Sequence, residues 1–186
     1  NVVVQLGAVP VLVDIDLETF GMNAADLQAK ITPRSKAVIP VHAFGCSVDM
    51  DPILETARAH NLLVLEDAAC AFGATYYGRF CGTMGRAGCF SFHPRKAITT
   101  GEGGMITTDD PELAERIQLL RSHGGVRTGY WFEYEDAGYN YRLSDIQGAM
   151  GVAQMEKLPM ILERKRLLAE QLRQRLNLYL ALGGPP

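Results

Sequence analysis

With 186 residues and 18 basic against 21 acidic side chains, for a net charge of −3, the chain has the length of one domain with a sizeable core. No Lys/Arg stripe forms, which argues against a nucleic-acid partner. The longest apolar runs, such as 37–41 and 62–65, have strand length and cannot span a bilayer. Cys46, Cys70, Cys81 and Cys89 show neither a C-x-x-C pair nor companion histidine spacing. Free thiols are therefore expected rather than disulfides or a metal site. The opening residues lack the pattern of a secretory signal, and a cytoplasmic protein is expected.

Residues 1–7 read as the tail of an element that stops at Gly7. Val9 to Val13 reads as a short strand, and Asn23 to Ile31 as a helix with Leu27 and Ile31 on its apolar side. Ala37 to Val41 is a strand. The Asp49, Asp51 and Pro52 signals start a helix over Met50 to Ala59. Strands follow at Leu62 to Leu65, Cys89 to Phe92 and Met105 to Thr108, and Asp110-Pro111 opens a helix to about Arg121. The glycines, aromatics and charges from Ser122 to Gly138 predict a surface loop. Ser144 caps a helix whose Ile146, Met150 and Ala153 are expected to face inward. A long amphipathic helix spans about Leu158 to Leu182. No repeat is visible. The alternation predicts an α/β fold, a mostly parallel sheet with helices on both faces. Residues 1–157 form its large domain and 158–186 the start of a small C-terminal domain. Both ends read as cut, so a fragment is expected.

Ligands of open α/β sheets collect beyond the carboxyl ends of the parallel strands. Three apolar runs end there with polar groups: His42 after 38–41, Glu66-Asp67 after Val64-Leu65, and Ser91 after Cys89-Phe90. Lys96 follows a few residues later. One rim can thus gather an imidazole, a carboxylate, a hydroxyl and an amine. Residues two apart on an extended chain share a face, so Asp67 and Ala69 point the same way, and the small methyl leaves room for a flat ring. A pyridoxal phosphate site needs such an amine, to form an imine with the cofactor aldehyde, and such a carboxylate, to keep the pyridine nitrogen protonated. Each residue also has a plainer reading: Asp67 as a turn cap, Lys96 as a solvated surface charge, His42 as a packed, hydrogen-bonded side chain. Gly101-Glu102-Gly103-Gly104 lacks the spacing of a dinucleotide or NTP phosphate loop.

The ordered segments 40–42, Asp49-Met50, Glu66-Asp67-Ala68-Ala69, 90–92, Lys96, 98–104, 121–124 and 138–147 together resemble the DegT/DnrJ/EryC1/StrS sugar aminotransferases, pyridoxal phosphate enzymes of fold type I. The resemblance covers essentially the whole chain. It implies that Lys96 is the cofactor lysine and proton shuttle, that Asp67 partners the pyridine nitrogen, that Ala69 packs on the ring, and that Ser91 binds the phosphate. It also implies that Asn140 reaches the phosphate of a neighbouring subunit's cofactor, making the active unit a homodimer, with Arg142 close to that shared site. His42 and Arg142 are the candidate substrate contacts. The implied substrates are an amino donor, glutamate, and a nucleotide-linked keto-sugar of polysaccharide or antibiotic biosynthesis.

This chain departs from the family pattern at two positions. Cys70 stands where the family commonly has Gln against the cofactor's phenolic oxygen, and a thiol is a weak donor. Ala97 stands where Asn often follows the lysine. Against the family pattern, the segment carrying a phosphate-binding helix start and an aromatic for the other ring face, and most of the C-terminal domain, are expected to lie outside this sequence. Three alternatives remain beside the aminotransferase. A sugar dehydratase of the same scaffold carries His in place of the lysine, so Lys96 argues against it. The others are a regulatory homologue without activity and a nucleotide-binding domain without the cofactor.

Overall fold

The computed structural model describes residues 1–181. The end of the long helix at Leu182 and the residues expected beyond it lie outside the described residues. A short helix α1 (Val2–Gln5) ends before Gly7. Helix α2 (Ala24–Lys30) starts at Asn23, whose side chain accepts from the Asp26 N–H. Strand β1 (Ala37–Val38) is followed by a 3₁₀ turn at Ala43–Gly45 and helix α3 (Met50–Ala59). Strand β2 (Leu63–Asp67) precedes a small hairpin, β3 (Thr75–Tyr76) and β4 (Arg79–Phe80). Its turn, Tyr77-Gly78, has positive φ at both residues, as a type I′ connection requires. Then come β5 (Ala87–Ser91), β6 (Gly104–Thr107) and helix α4 (Pro111–Arg121), which Asp110 caps and Pro111 opens.

The central sheet has the order β1-β2-β5-β6, with β1, β2 and β5 parallel and β6 antiparallel. Of the expected strand 37–41 only the first two residues ladder, because Pro40 has no N–H to give. Val41 still bridges Asp67. Burial alternates strictly along β1 and β2. Val38, Pro40, His42, Val64, Glu66 and Ala68 are buried, whereas Ile39, Val41 and Leu63 remain exposed. The buried face packs on Met50, Ile53, Leu54 and Ala57 of α3, with Leu27 of α2 beside them.

Three expectations are corrected. Val9 to Val13 is not a strand; Val9, Val11 and Leu12 are exposed, and the nearest pairing is an isolated bridge between Ile15 and Met22. An apolar run without a partner's hydrogen-bond ladder has no reason to stay extended. The stretch 122–138 is not irregular but carries an antiparallel hairpin, β7 (Gly125–Thr128) and β8 (Trp131–Tyr134). Gly129, at φ +66°, opens its two-residue turn. Helix α5 (Asp145–Glu156), started by a Ser144/Gln147 capping box, turns a different side inward from the one expected. Ile146, Met150 and Ala153 are exposed. Gln147, Gly151 and Gln154, the i, i+4, i+7 stripe, instead face the loop that joins β5 to β6. Helix α6 (Leu158–Ala181) completes the described chain, with Leu162 against Gly73.

Buried Glu66 ties the sheet to the 82–85 segment. Its carboxylate accepts from the backbone N–H groups of Gly82 (2.7 Å), Met84 (2.5 Å) and Gly85 (2.6 Å). A Cβ at Gly85 would stand 2.6 Å from the Val64 carbonyl oxygen. Gly85→Ala is expected to destabilise the fold by about 1–3 kcal/mol, the usual cost of forcing atoms into a packed site. A lowered urea midpoint with unchanged slope is the result to look for.

Candidate active site

Because β1, β2 and β5 run parallel, Val41/His42, Asp67/Ala68 and Ser91/Phe92 all emerge at one edge of the sheet. Which of their side chains meet is decided by register. Asp67 lies opposite Val41 on one side and Cys89 on the other. Those three residues share a face, and Ser91, two beyond Cys89, shares it too. Asp67 is half-buried, and its Oδ1 accepts from the Ala69 N–H at 3.0 Å. That bond holds the chain in a tight turn just past the strand. Burial pushes the Cys89 thiol upward, and the Asp67 charge beside it adds to the shift.

His42 is one residue out of step with this set, so it points to the opposite face. It is fully buried, and the site the sequence proposed for it at the rim is corrected accordingly. Val48 N–H donates to Nδ1 at 3.1 Å, and Nε2 lies 2.9 Å from Glu66 Oε2. Burial disfavours a charged ring, but hydrogen bonding to Cys81 and Glu66 outweighs it and pushes the imidazole upward. The Val48 donor nevertheless decides in favour of the neutral tautomer with its proton on Nε2, since Nδ1 must keep a lone pair to accept. With both nitrogens used inside the protein, His42 has nothing left to offer a substrate.

Lys96 lies on the β5–β6 connection, a well-anchored loop. Phe92 N–H donates to the Gly103 carbonyl, Thr100 N–H to the Phe92 carbonyl, and Lys96 N–H to the His93 carbonyl. Helix α5 clamps the same loop from outside. Gln147 Nε2 donates to the Glu102 carbonyl at 2.8 Å, and Gln154 Oε1 accepts from Thr99 N–H at 3.3 Å. Neither glutamine stood out as a site residue; for Gln147 the capping-box position was the available signal, and for Gln154 there was none. The loop carries Lys96 Nζ back over the end of β2, where it donates to Cys70 Sγ at 3.1 Å. Ser91 Oγ accepts from the His93 N–H at 3.3 Å.

Asn140 and Arg142 form a separate, exposed group. Asn140 Oδ1 accepts from Arg142 Nε at 3.0 Å, and Arg142 Nη2 meets His123 Nε2 at 3.1 Å. Arginine only donates, so His123 Nε2 and Asn140 Oδ1 both accept, and the Asn140 NH₂ has no partner among the described residues. A groove along α4 and β7 contains none of these residues. Among the described residues no cluster of His, Cys, Asp and Glu could hold a metal ion, and no helix is long and apolar enough to cross a membrane.

An amine brought to the residue three past a strand-end carboxylate, with a hydroxyl on the carboxylate's face, is the donor set that pyridoxal phosphate chemistry needs. The mostly parallel α/β sheet that carries these residues is the fold of solved sugar aminotransferases of the pyridoxal phosphate-dependent class. The sequence profile of the DegT/DnrJ/EryC1/StrS aminotransferase family matches residues 1–180. The GDP-perosamine synthase of Caulobacter vibrioides is 55% identical over 159 residues, 85% of this chain and 42% of that protein. The spore coat polysaccharide biosynthesis protein SpsC of Bacillus subtilis is 44% identical over 178 residues, 91% of this chain and 46% of that protein. The crystal structure of the aminotransferase TlmJ from Streptoalloteichus hindustanus superposes with a TM-score of 0.90 at 37% identity, covering 94% of this chain and 48% of that one. The chain belongs to the DegT/DnrJ/EryC1/StrS aminotransferase family. It spans about half the length of the curated relatives it matches.

Proposed function

We propose that the whole protein is a pyridoxal phosphate-dependent aminotransferase, moving an amino group from glutamate to a nucleotide-linked keto-sugar. The observation that carries this reading is the placement of the Lys96 amine at Cys70, beside the turn that Asp67 holds. When bound, the cofactor supplies an aldehyde for amine exchange and a ring that stores the electron pair left at the reacting carbon. Lys96 Nζ would hold the aldehyde end and, once displaced by a substrate amine, move the proton at the reacting Cα. Asp67 would keep a proton on the ring nitrogen, a task that half-burial strengthens by lowering the local dielectric. Ala69 would leave space for the ring, Cys70 would take the position the family commonly gives to Gln, and the Ser91 hydroxyl would bind the phosphate.

Asn140, exposed and with an amide NH₂ to donate, suits a phosphate on a neighbouring subunit. Arg142 suits an anionic substrate at that shared edge, so the active unit is a homodimer. Residues 1–157 belong to the cofactor-binding domain, and 158 onward begin the small domain. A cytoplasmic location goes with this chemistry.

The test is direct. Pyridoxal phosphate is added to the full-length protein, the adduct is fixed with borohydride, and the modified peptide is sequenced. A pyridoxyl group on Lys96 is expected. Modification at another lysine, or none, would overturn the assignment.

A further inference from the structure

We propose that Cys70 and Lys96 are an oxidation-sensitive couple, closed by a hydroperoxide into a covalent sulfur–nitrogen bond. The bond itself needs only the two side chains. Its consequence, masking of the cofactor lysine, rests on the function proposed above.

Geometry singles out this thiol. Cys70 Sγ is the one side-chain partner of Lys96 Nζ among the described residues, at 3.1 Å. Cys70 is exposed, so a small peroxide reaches it. Cys81 is buried. Cys89 and Cys46 are exposed as well, but partial desolvation and the Asp67 charge hold Cys89 toward its thiol form, and Cys46 Sγ faces the Ser47 carbonyl rather than an amine. Both ends of the couple stand on anchored backbone. The Ala71 N–H donates to the Ala68 carbonyl on one side of Cys70, and the Lys96 loop is clamped by Gln147 and Gln154. The flexible lysine stem closes the remaining gap. An amide at position 70, as in the family pattern, cannot take part in this chemistry, so the couple is a property of this chain.

The steps balance with hydrogen peroxide as oxidant. The Cys70 sulfur attacks one peroxide oxygen, the S–O bond forms as O–O breaks, and water leaves with the thiol proton. Sulfur has been oxidised to a sulfenic acid and the peroxide reduced. The uncharged Lys96 amine then attacks sulfur, N–S forms as S–O breaks, and the departing hydroxide takes an amine proton. One thiol, one amine and one peroxide give one sulfenamide and two waters. Condensation of a sulfenic acid with a neighbouring nitrogen is established cysteine chemistry, reversed by thiols.

The experiment uses the full-length protein freed of cofactor, treated with hydrogen peroxide, alkylated and digested. The peptides carrying Cys70 and Lys96 are expected to appear joined, lighter by two hydrogen atoms than their sum, and to separate with dithiothreitol. Cys70→Ser and Lys96→Arg should each abolish the joined species. Dimedone capture of Cys70 with Lys96 free would overturn the proposal. So would a disulfide to Cys46, whose neighbour Gly45 lies against the Cys70 carbonyl, or a link that retains an oxygen. Preloading with pyridoxal phosphate should cut the yield several-fold. An undiminished yield would refute the masking role and Lys96 as the cofactor lysine, while leaving the couple itself standing.

Discussion

Lys96→Ala in the full-length protein is expected to lose covalent cofactor attachment and to slow turnover by at least about 10²–10⁴-fold, the range for deleting a positioned acid–base group. The side chain has little structural work to do. Its single polar contact among the described residues is with an exposed thiol, and the loop around it is held by backbone bonds and by α5. The fold should therefore survive the substitution, with an unchanged urea midpoint. Lys96→Arg should behave like the alanine variant, because a guanidinium stays protonated and cannot form the imine or shuttle the proton. Rates of amino transfer together with borohydride labelling separate these outcomes. Retained transamination by the alanine variant would remove Lys96 from the chemistry altogether.

The parts of this molecule that could be read from residues alone are those governed by local rules. Asp110-Pro111 and Ser144 mark helix starts because caps and a first-turn proline satisfy or remove orphan N–H groups, and the helices begin where those signals stand. Strands β2, β5 and β6 followed from short apolar runs. The proposal of Asp67 and Lys96 as a site rests on the chemistry of a carboxylate and an amine at strand ends and on the family resemblance, and the structure adds that the Lys96 amine reaches Cys70 beside the Asp67 turn. What escaped was set by partners rather than by the segment itself. His42 and Asp67 both end strands, but a one-residue offset in register sends them to opposite faces. The inward side of α5 went wrong because an apolar stripe of Ile146 and Met150 looks like a core face, whereas the contacts on the Lys96 loop are made by glutamines and a glycine. The hairpins at 75–80 and 125–134 are short ribbons whose residues are mostly exposed, so no buried alternation announced them.

Glu66 is the residue where that alternation has its largest energetic consequence. It follows the apolar run 62–65 and, two beyond Val64 and two before Ala68, must point into the core. The interior there offers it four donors: three backbone N–H groups and the Nε2–H of His42. Glu66→Ala strands all four without acceptors, and a cost of about 3–5 kcal/mol is expected, as for breaking a buried polar pair. That is a large share of the stability of an ordinary domain. Glu66→Gln should rescue little, because its NH₂ would face donors. Burial pushes the carboxyl upward, but the His42 bond and the three N–H bonds outweigh it and hold the group below its ordinary 4.5. A carboxyl whose folded value is depressed binds fewer protons folded than unfolded. Its stabilisation is thus complete above that ordinary value and disappears as pH falls through the lower, folded one. Urea midpoints of the wild type should therefore drop steeply on acidification below about pH 4.5, and the Glu66→Ala midpoint, already lower at neutral pH, should drop less. Parallel curves for the two proteins would mean that the carboxylate is not the group that ties β2 to the 82–85 segment.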